Sequence, residues 1–244
     1  MEFFLENQEL LWFMVVIYDL TLAIFLFKFF GKYGLYCAVV LGIILGNLQG
    51  GKVSELEVFG LSLTVSMGAI LYSGIYFATD LLNEKYGKNE ANRAVYLGFV
   101  ANIAVMVTLW VSTIFLPSDI TGSAAAVHNA ITTLATYSPI FIIGSLTAYL
   151  SSQVFDVWFF NYLKNTLSGK SLWLRNNLST IISSLVDNTV FSIFAWILLN
   201  PEPVSVYNVI MIYILGTYLL RIFIALLDTP FIYIAKFFVP KTND

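Results

Sequence analysis

Asn176, Thr180, Ser183 and Asp187 place polar side chains at offsets of 0, 4, 7 and 11. At about 100° per residue these positions share one helical face. Tyr149, Gln153, Asp156 and Phe160 repeat the spacing, and so do Tyr72, Tyr76, Thr79 and Asn83, with Asp80 at the edge of that stripe. Arg221 and Asp228 also share a face, but at 1.5 Å per residue they lie about 10 Å apart along the axis. They cannot pair with each other, so each needs a partner on another helix. Asp187 or Asp156 could partner Arg221. Carboxylates, amides and aromatic rings facing one cavity suit a neutral, planar, polar molecule. An ionised carboxylate accepts two N–H bonds at once, as the N1–H and exocyclic amine of a guanine-like edge would offer. A ligand lacking those donors would leave the carboxylate unpaired and be rejected. This chemistry allows a nucleobase-like solute without requiring one. The same stripes could instead only join helices through hydrogen bonds, and Asp80 and Asp156 could mark solvated helix ends. Asp19 stands apart from every stripe and has no role in this reading.

The segments that carry these stripes are apolar. Of 244 residues, 59% are hydrophobic and 11% charged, whereas soluble domains carry about 25% charged residues. Lipid must solvate the surplus apolar surface. A span needs roughly 20 mostly apolar residues, and spans are expected near 10–30, 33–49, 60–82, 94–116, 132–162, 177–199 and 205–236. The expected fold is therefore all-α, a polytopic transmembrane helix bundle. Lys28 and Lys32, then Lys85, Lys88 and Arg93, then Lys164, Lys170 and Arg175, and finally Lys236 and Lys241 fall on alternate connections and the C-terminal tail. The opposite connections hold only Lys52 among basic residues, with Glu55, Glu57, Asp119 and Glu202. Basic loops face the cytoplasm, so a multi-pass protein with its N-terminus outside and its C-terminus cytoplasmic is expected. The acidic N-terminus argues against a cleaved signal peptide.

Other chemistries are poorly provided for. Cys37 is the only cysteine and His128 the only histidine, which leaves no metal-ligand cluster and no serine–histidine pair inside a span. A phosphate-binding glycine loop with lysine is absent, so the chain does not hydrolyse ATP itself. No catalytic residues, metal or cofactor are expected. A net charge of -3 without a basic cluster argues against a nucleic-acid partner.

Four ordered motifs carry a more specific signal. SGIYFATDLLNEKYGKNEANRAVYLGFVAN (73–102), AYLSSQVFDVWFF (148–160), LWLRNNLSTIISSLVD (172–187) and YLLRIFIALLDTP (218–230) resemble the queuosine precursor transporter family, which is also described as vitamin-uptake-transporter-like. The resemblance covers roughly 33–236. It implies a six-helix core over residues 33–244, similar to the substrate-binding components of energy-coupling-factor transporters, with residues 1–32 as an extra N-terminal transmembrane helix outside the site. It also implies import, across a bacterial plasma membrane, of 7-cyano-7-deazaguanine, 7-aminomethyl-7-deazaguanine or queuine for tRNA queuosine salvage. Among the motif positions, Gln153, Asp156 and Asp187 are expected at the base edge, with Asn102 and Asn177 in support. Asp80 is included in the substrate-binding set, and Arg221 would orient or neutralise a carboxylate. Glu84, Lys85 and Arg93 would instead set the cytoplasmic loop. The alternative is a binding subunit of an energy-coupling-factor type vitamin or nucleobase importer, driven by separate energising subunits. Whether the chain works alone, as a homodimer or with such subunits is open at this level.

Overall fold

The computed structural model describes residues 7–58, 61–119, 121–136, 139–200 and 202–238. Helix α1, Gln8–Leu48, is bent at Gly31, whose φ of 57° and ψ of -138° break the helix. Left-handed φ at this corner is open to glycine because no Cβ meets the backbone. Three residues on, Gly34 lies so close to the Leu26 carbonyl that any side chain would strike it. The two arms form a hairpin, because both ends of α1 reach the same place. The Glu57 amide donates to the Glu9 carboxylate at 3.1 Å, and the Ser66 hydroxyl donates to the Gly50 carbonyl at 2.8 Å. The arms correspond to the first two expected spans.

Glu57 and Ser66 belong to a β-hairpin that the hydropathy reading misses. Strand β1, Val53–Val58, pairs antiparallel with β2, Leu61–Ser66, in the register Val53↔Ser66 to Val58↔Leu61. Alternating VSELEV and LSLTVS has the period of two that suits a pleat with one buried face, and Leu56 and Val65 are buried. The span expected at 60–82 therefore begins later, as α2, Met67–Tyr86.

Helix α2 is the axis of the bundle. Residues 70–83 are buried without interruption, as expected for a helix enclosed on all sides rather than amphipathic. It meets α1 through small residues: Gly42 faces Ile75, Gly46 faces Tyr72, and Gly68 abuts the Gly46 carbonyl. Close backbone approach of this kind is the usual packing currency between helices in lipid. Helix α3, Lys88–Ser112, follows. The fifth expected span, 132–162, is two helices: α4, Ser123–Thr136, and α5, Pro139–Thr166. Pro139 explains the division, since proline suits a first turn but cannot continue a preceding helix. Helix α6 runs over Leu172–Leu198 and α7 over Val206–Phe237. Both contain wider π-helical turns, at Ile193–Leu198 and Val209–Gly216.

Among the described residues, four helices are long and apolar enough to cross a membrane: α1, α3, α6 and α7. The bent α1 supplies two arms to this all-α bundle. The basic residues gather at one end of it. Glu84 receives Arg175 at 2.9 Å, Lys236 at 3.3 Å and Lys164 at 3.4 Å. Lys85 donates to the Lys236 carbonyl at 2.7 Å, and the Lys28 ammonium lies 5.0 Å from the Phe238 ring centre. Glu9 and the β-hairpin occupy the opposite end.

Candidate functional site

The polar stripe of α6 is the spine of the interior, and each of its residues serves a different neighbour. Asn176 donates its amide to Asp228 of α7 at 2.6 Å. Thr180, together with Ser179, reaches Asp80 of α2 at 3.4 Å. Ser183 donates to Asp156 of α5 at 2.7 Å. Asp187 accepts from Ser152 of α5 at 3.1 Å and from the Arg221 guanidinium of α7 at 2.6 Å. The offsets of 0, 4, 7 and 11 thus become four rungs that tie α6 to α2, α5 and α7. Arg221 pairs with Asp187 rather than with Asp156.

Of the residues expected at the site, Asp80, Gln153, Asp156, Asp187 and Arg221 come together on facing helices. Gln153 accepts from the Thr79 hydroxyl at 3.3 Å. Asn177 reaches the same helix as Asn176, one residue on, donating to Thr229 of α7 at 2.6 Å and to the Trp173 carbonyl at 2.7 Å. Asn102, on α3, is fully buried and makes no side-chain hydrogen bond within 3.5 Å among the described residues, so none of them joins it to the rungs. Asp80 and Asp156 are each 0% exposed, which removes the reading of them as solvated helix ends. Asp19 is no longer isolated: its carboxyl packs directly against Gly74 of α2, so the first arm of α1 touches the central helix.

Charge is unevenly balanced here. Asp187 has Arg221 and Glu84 has Arg175, the latter with its side chain 0% exposed. Asp80, Asp156 and Asp228 have no cation within 4.0 Å among the described residues and are held by hydroxyls and an amide. A buried carboxyl without a cation is expensive, and carboxyls at membrane depth usually mark a pathway or a binding site.

A cavity opens beside the rungs, between α2, α6 and α7. Tyr72, Tyr76, Thr180, Ser184, Arg221 and Asp228 line it. About 10 Å³ is accessible to the centre of a water molecule, the scale of a single water. The Tyr76 hydroxyl and the Arg221 Nε are buried there with no hydrogen bond within 3.5 Å among the described residues. The stripe reading includes Tyr72, Tyr76 and Thr180, but periodicity gives no reason to rank them above the other polar residues. Ser184 lies off every stripe, and only the packing of three helices brings it in.

A family described as "putative vitamin uptake transporter" matches residues 66–235. The chain belongs to this family. A transporter role agrees with a helix bundle whose polar side chains are turned inward. The chain is also 33% identical over 231 residues, 94% of its length, to a Bacillus subtilis (strain 168) protein named "Probable queuosine precursor transporter", of which it covers 95%. No solved structure matches the chain. The resemblance carried by the four motifs is thereby shown at the level of family. The matched region contains all four rungs, Glu84 with Lys164 and Arg175, and the cavity.

Proposed function

We propose that this protein imports a queuosine precursor, 7-cyano-7-deazaguanine, 7-aminomethyl-7-deazaguanine or queuine, across a bacterial plasma membrane for tRNA modification salvage. The observation that carries this reading is the set of buried carboxyls on α2, α5, α6 and α7, of which only Asp187 has a cation within 4.0 Å among the described residues. Such a set suits a solute rich in N–H donors, as a 7-deazaguanine is, and the ammonium carried by the aminomethyl compound and by queuine is compatible with the surplus of carboxyls. The relative named for a queuosine precursor supports the choice among planar solutes. In this reading residues 33–244 form the transporting core and residues 1–32 an additional helix. The basic end, with Glu84, Lys85, Lys164, Arg175 and Lys236, faces the cytoplasm by the positive-inside rule, and the β-hairpin faces outward. Gln153, Asp156, Asp187, Asp80 and Arg221 then form the polar wall of the pathway, with Asn177 tying α6 to α7 at Thr229 and Asn102 standing apart on α3.

A thermal-shift panel on the purified protein tests the substrate class. Ligand that binds only the folded state stabilises by about 2.7 kcal/mol at a hundred times Kd, so the three 7-deazaguanines should raise Tm. Guanine should act weakly and water-soluble vitamins not at all. A shift with a vitamin and none with any 7-deazaguanine would replace this reading with that of a vitamin importer.

A further inference from the structure

The four interior carboxyls are not equivalent, and only Asp228 lines the cavity between α2, α6 and α7. Asp187 uses one oxygen on Ser152 and the other on Arg221. Asp80 and Asp156 each accept from hydroxyls on one oxygen, of Ser179 and Thr180 or of Ser183, and keep the other without a hydrogen bond among the described residues, but neither lines the cavity. Asp228 does line it, and among the described residues only Asn176 donates to it, through one oxygen at 2.6 Å. Across the same space stand two tyrosine rings, Tyr72 and Tyr76. The Tyr76 hydroxyl, in a residue 3% exposed, makes no hydrogen bond within 3.5 Å among the described residues, and neither does the Arg221 Nε.

Resting on the reading of a 7-deazaguanine carrier, we propose that Asp228 is the specificity-determining carboxylate, accepting the N1–H and 2-amino donors of the base in the cavity between α2, α6 and α7. The Tyr76 hydroxyl and the Arg221 Nε supply the donors that the ring carbonyl needs, and the tyrosine rings flank its plane. Arg221 and Asp228 are about 10 Å apart along α7 and both line the cavity, so the long arginine side chain leans toward Asp228 for both to meet the one edge of the base that carries the carbonyl, N1–H and 2-amino group. This differs from a base edge read by Asp156 and Gln153, which face α6 and α2 away from the cavity wall.

The present cavity admits no base, since ligand sites run from about 300 Å³ upward, so α7 must separate from α2. The chain carries a means for that movement. The stretch bearing Arg221 and Asp228 is bracketed by the π-helical turns at Val209–Gly216 on one side and by Pro230 inside the helix on the other. Both features remove regular i→i-4 hydrogen bonds and are common where helices bend. Ala69 and Ala225 also line the cavity, so small side chains stand where the two helices must part.

The test compares two ligands on the full-length protein in nanodiscs: 7-aminomethyl-7-deazaguanine and its analogue without the 2-amino group. A hydrogen bond to a charged group contributes about 1.5–3 kcal/mol, so the wild type should prefer the amino ligand by about 10- to 150-fold. Asp228→Asn should collapse that ratio to within about threefold of unity, because it replaces an acceptor with a donor. Asp228→Glu, which keeps the carboxylate, should retain a preference of more than tenfold even at lower affinity. The unfolding midpoint of each variant, read by tryptophan fluorescence, establishes that it is folded. If Asp228→Asn weakens both ligands equally and leaves the ratio intact, the residue only supports Asn176 and the assignment is wrong. A ratio that collapses with Asp156→Asn instead overturns it as well. If the wild type binds both ligands without preference, the assignment falls while the carrier reading survives; if it binds neither, both fall.

Discussion

Removing either partner of the Asp187–Arg221 pair should cost far more than removing both. The guanidinium and carboxylate are 2.6 Å apart, with side chains 15% and 5% exposed, so neither is solvated well enough to stand alone. Breaking a buried ion pair from one side costs about 3–5 kcal/mol because a charge is stranded, whereas replacing both partners with neutral groups of similar volume is often near neutral. Arg221→Met leaves Asp187 with only the Ser152 hydroxyl at 3.1 Å, which offsets a small part of the loss, so about 3 kcal/mol is expected. Asp187→Asn keeps the Ser152 contact but strands a guanidinium whose remaining neighbour is the Tyr72 ring, centred 5.9 Å away, and should cost a similar amount. The double variant should cost about 1–2 kcal/mol, which implies a coupling energy of several kcal/mol. The assay is equilibrium unfolding in mixed micelles, with all four proteins compared in one detergent. Single losses that simply add, with coupling under about 0.5 kcal/mol, would refute the view that this pair is desolvated and mutually dependent.

Three further outcomes follow from other contacts. Glu84→Gln strands the fully buried Arg175 and should lower stability by about 3 kcal/mol, whereas Lys236→Ala, at a side chain 44% exposed, should cost no more than about 1 kcal/mol; equal losses in the same unfolding assay would show that Arg175 does not depend on Glu84. Gly68→Ala drives a methyl into the Gly46 backbone carbonyl, and overpacking of this kind costs about 1–3 kcal/mol; an unchanged thermal midpoint would mean that α1 and α2 are not so closely apposed. Asn176→Ala removes the 2.6 Å bond to Asp228 and should weaken binding of 7-aminomethyl-7-deazaguanine about 10-fold by calorimetry, since the carboxylate is then no longer oriented; wild-type affinity would separate Asn176 from the site.

The membrane bundle and its inward stripes were legible because both are periodic. The spacing in Asn176, Thr180, Ser183 and Asp187 translates directly into one helix face, and the structure uses each of the four as a rung. What lies across from a face is not periodic. Nothing local distinguishes Asp187 from Asp156 as the partner of Arg221, because that choice depends on how α5, α6 and α7 are rotated against one another. The same holds for the cavity, where Ser184 enters from outside any stripe and Asn102 is left apart from the rungs. Hydropathy averaging also concealed the β-hairpin, since Leu61–Ser66 is apolar enough to merge with α2 unless its alternation is weighed. Pro139, which divides α4 from α5, is a signal of another kind, readable from sequence but outvoted by the apolar run around it.

The most direct test of the account is uptake of radiolabelled 7-aminomethyl-7-deazaguanine into proteoliposomes that contain this protein alone. Saturable uptake is expected, inhibited by unlabelled 7-deazaguanines and not by riboflavin or thiamine. Uptake that requires added energising subunits would recast the chain as a binding component of a larger importer, and the absence of both uptake and binding would contradict the proposed substrate.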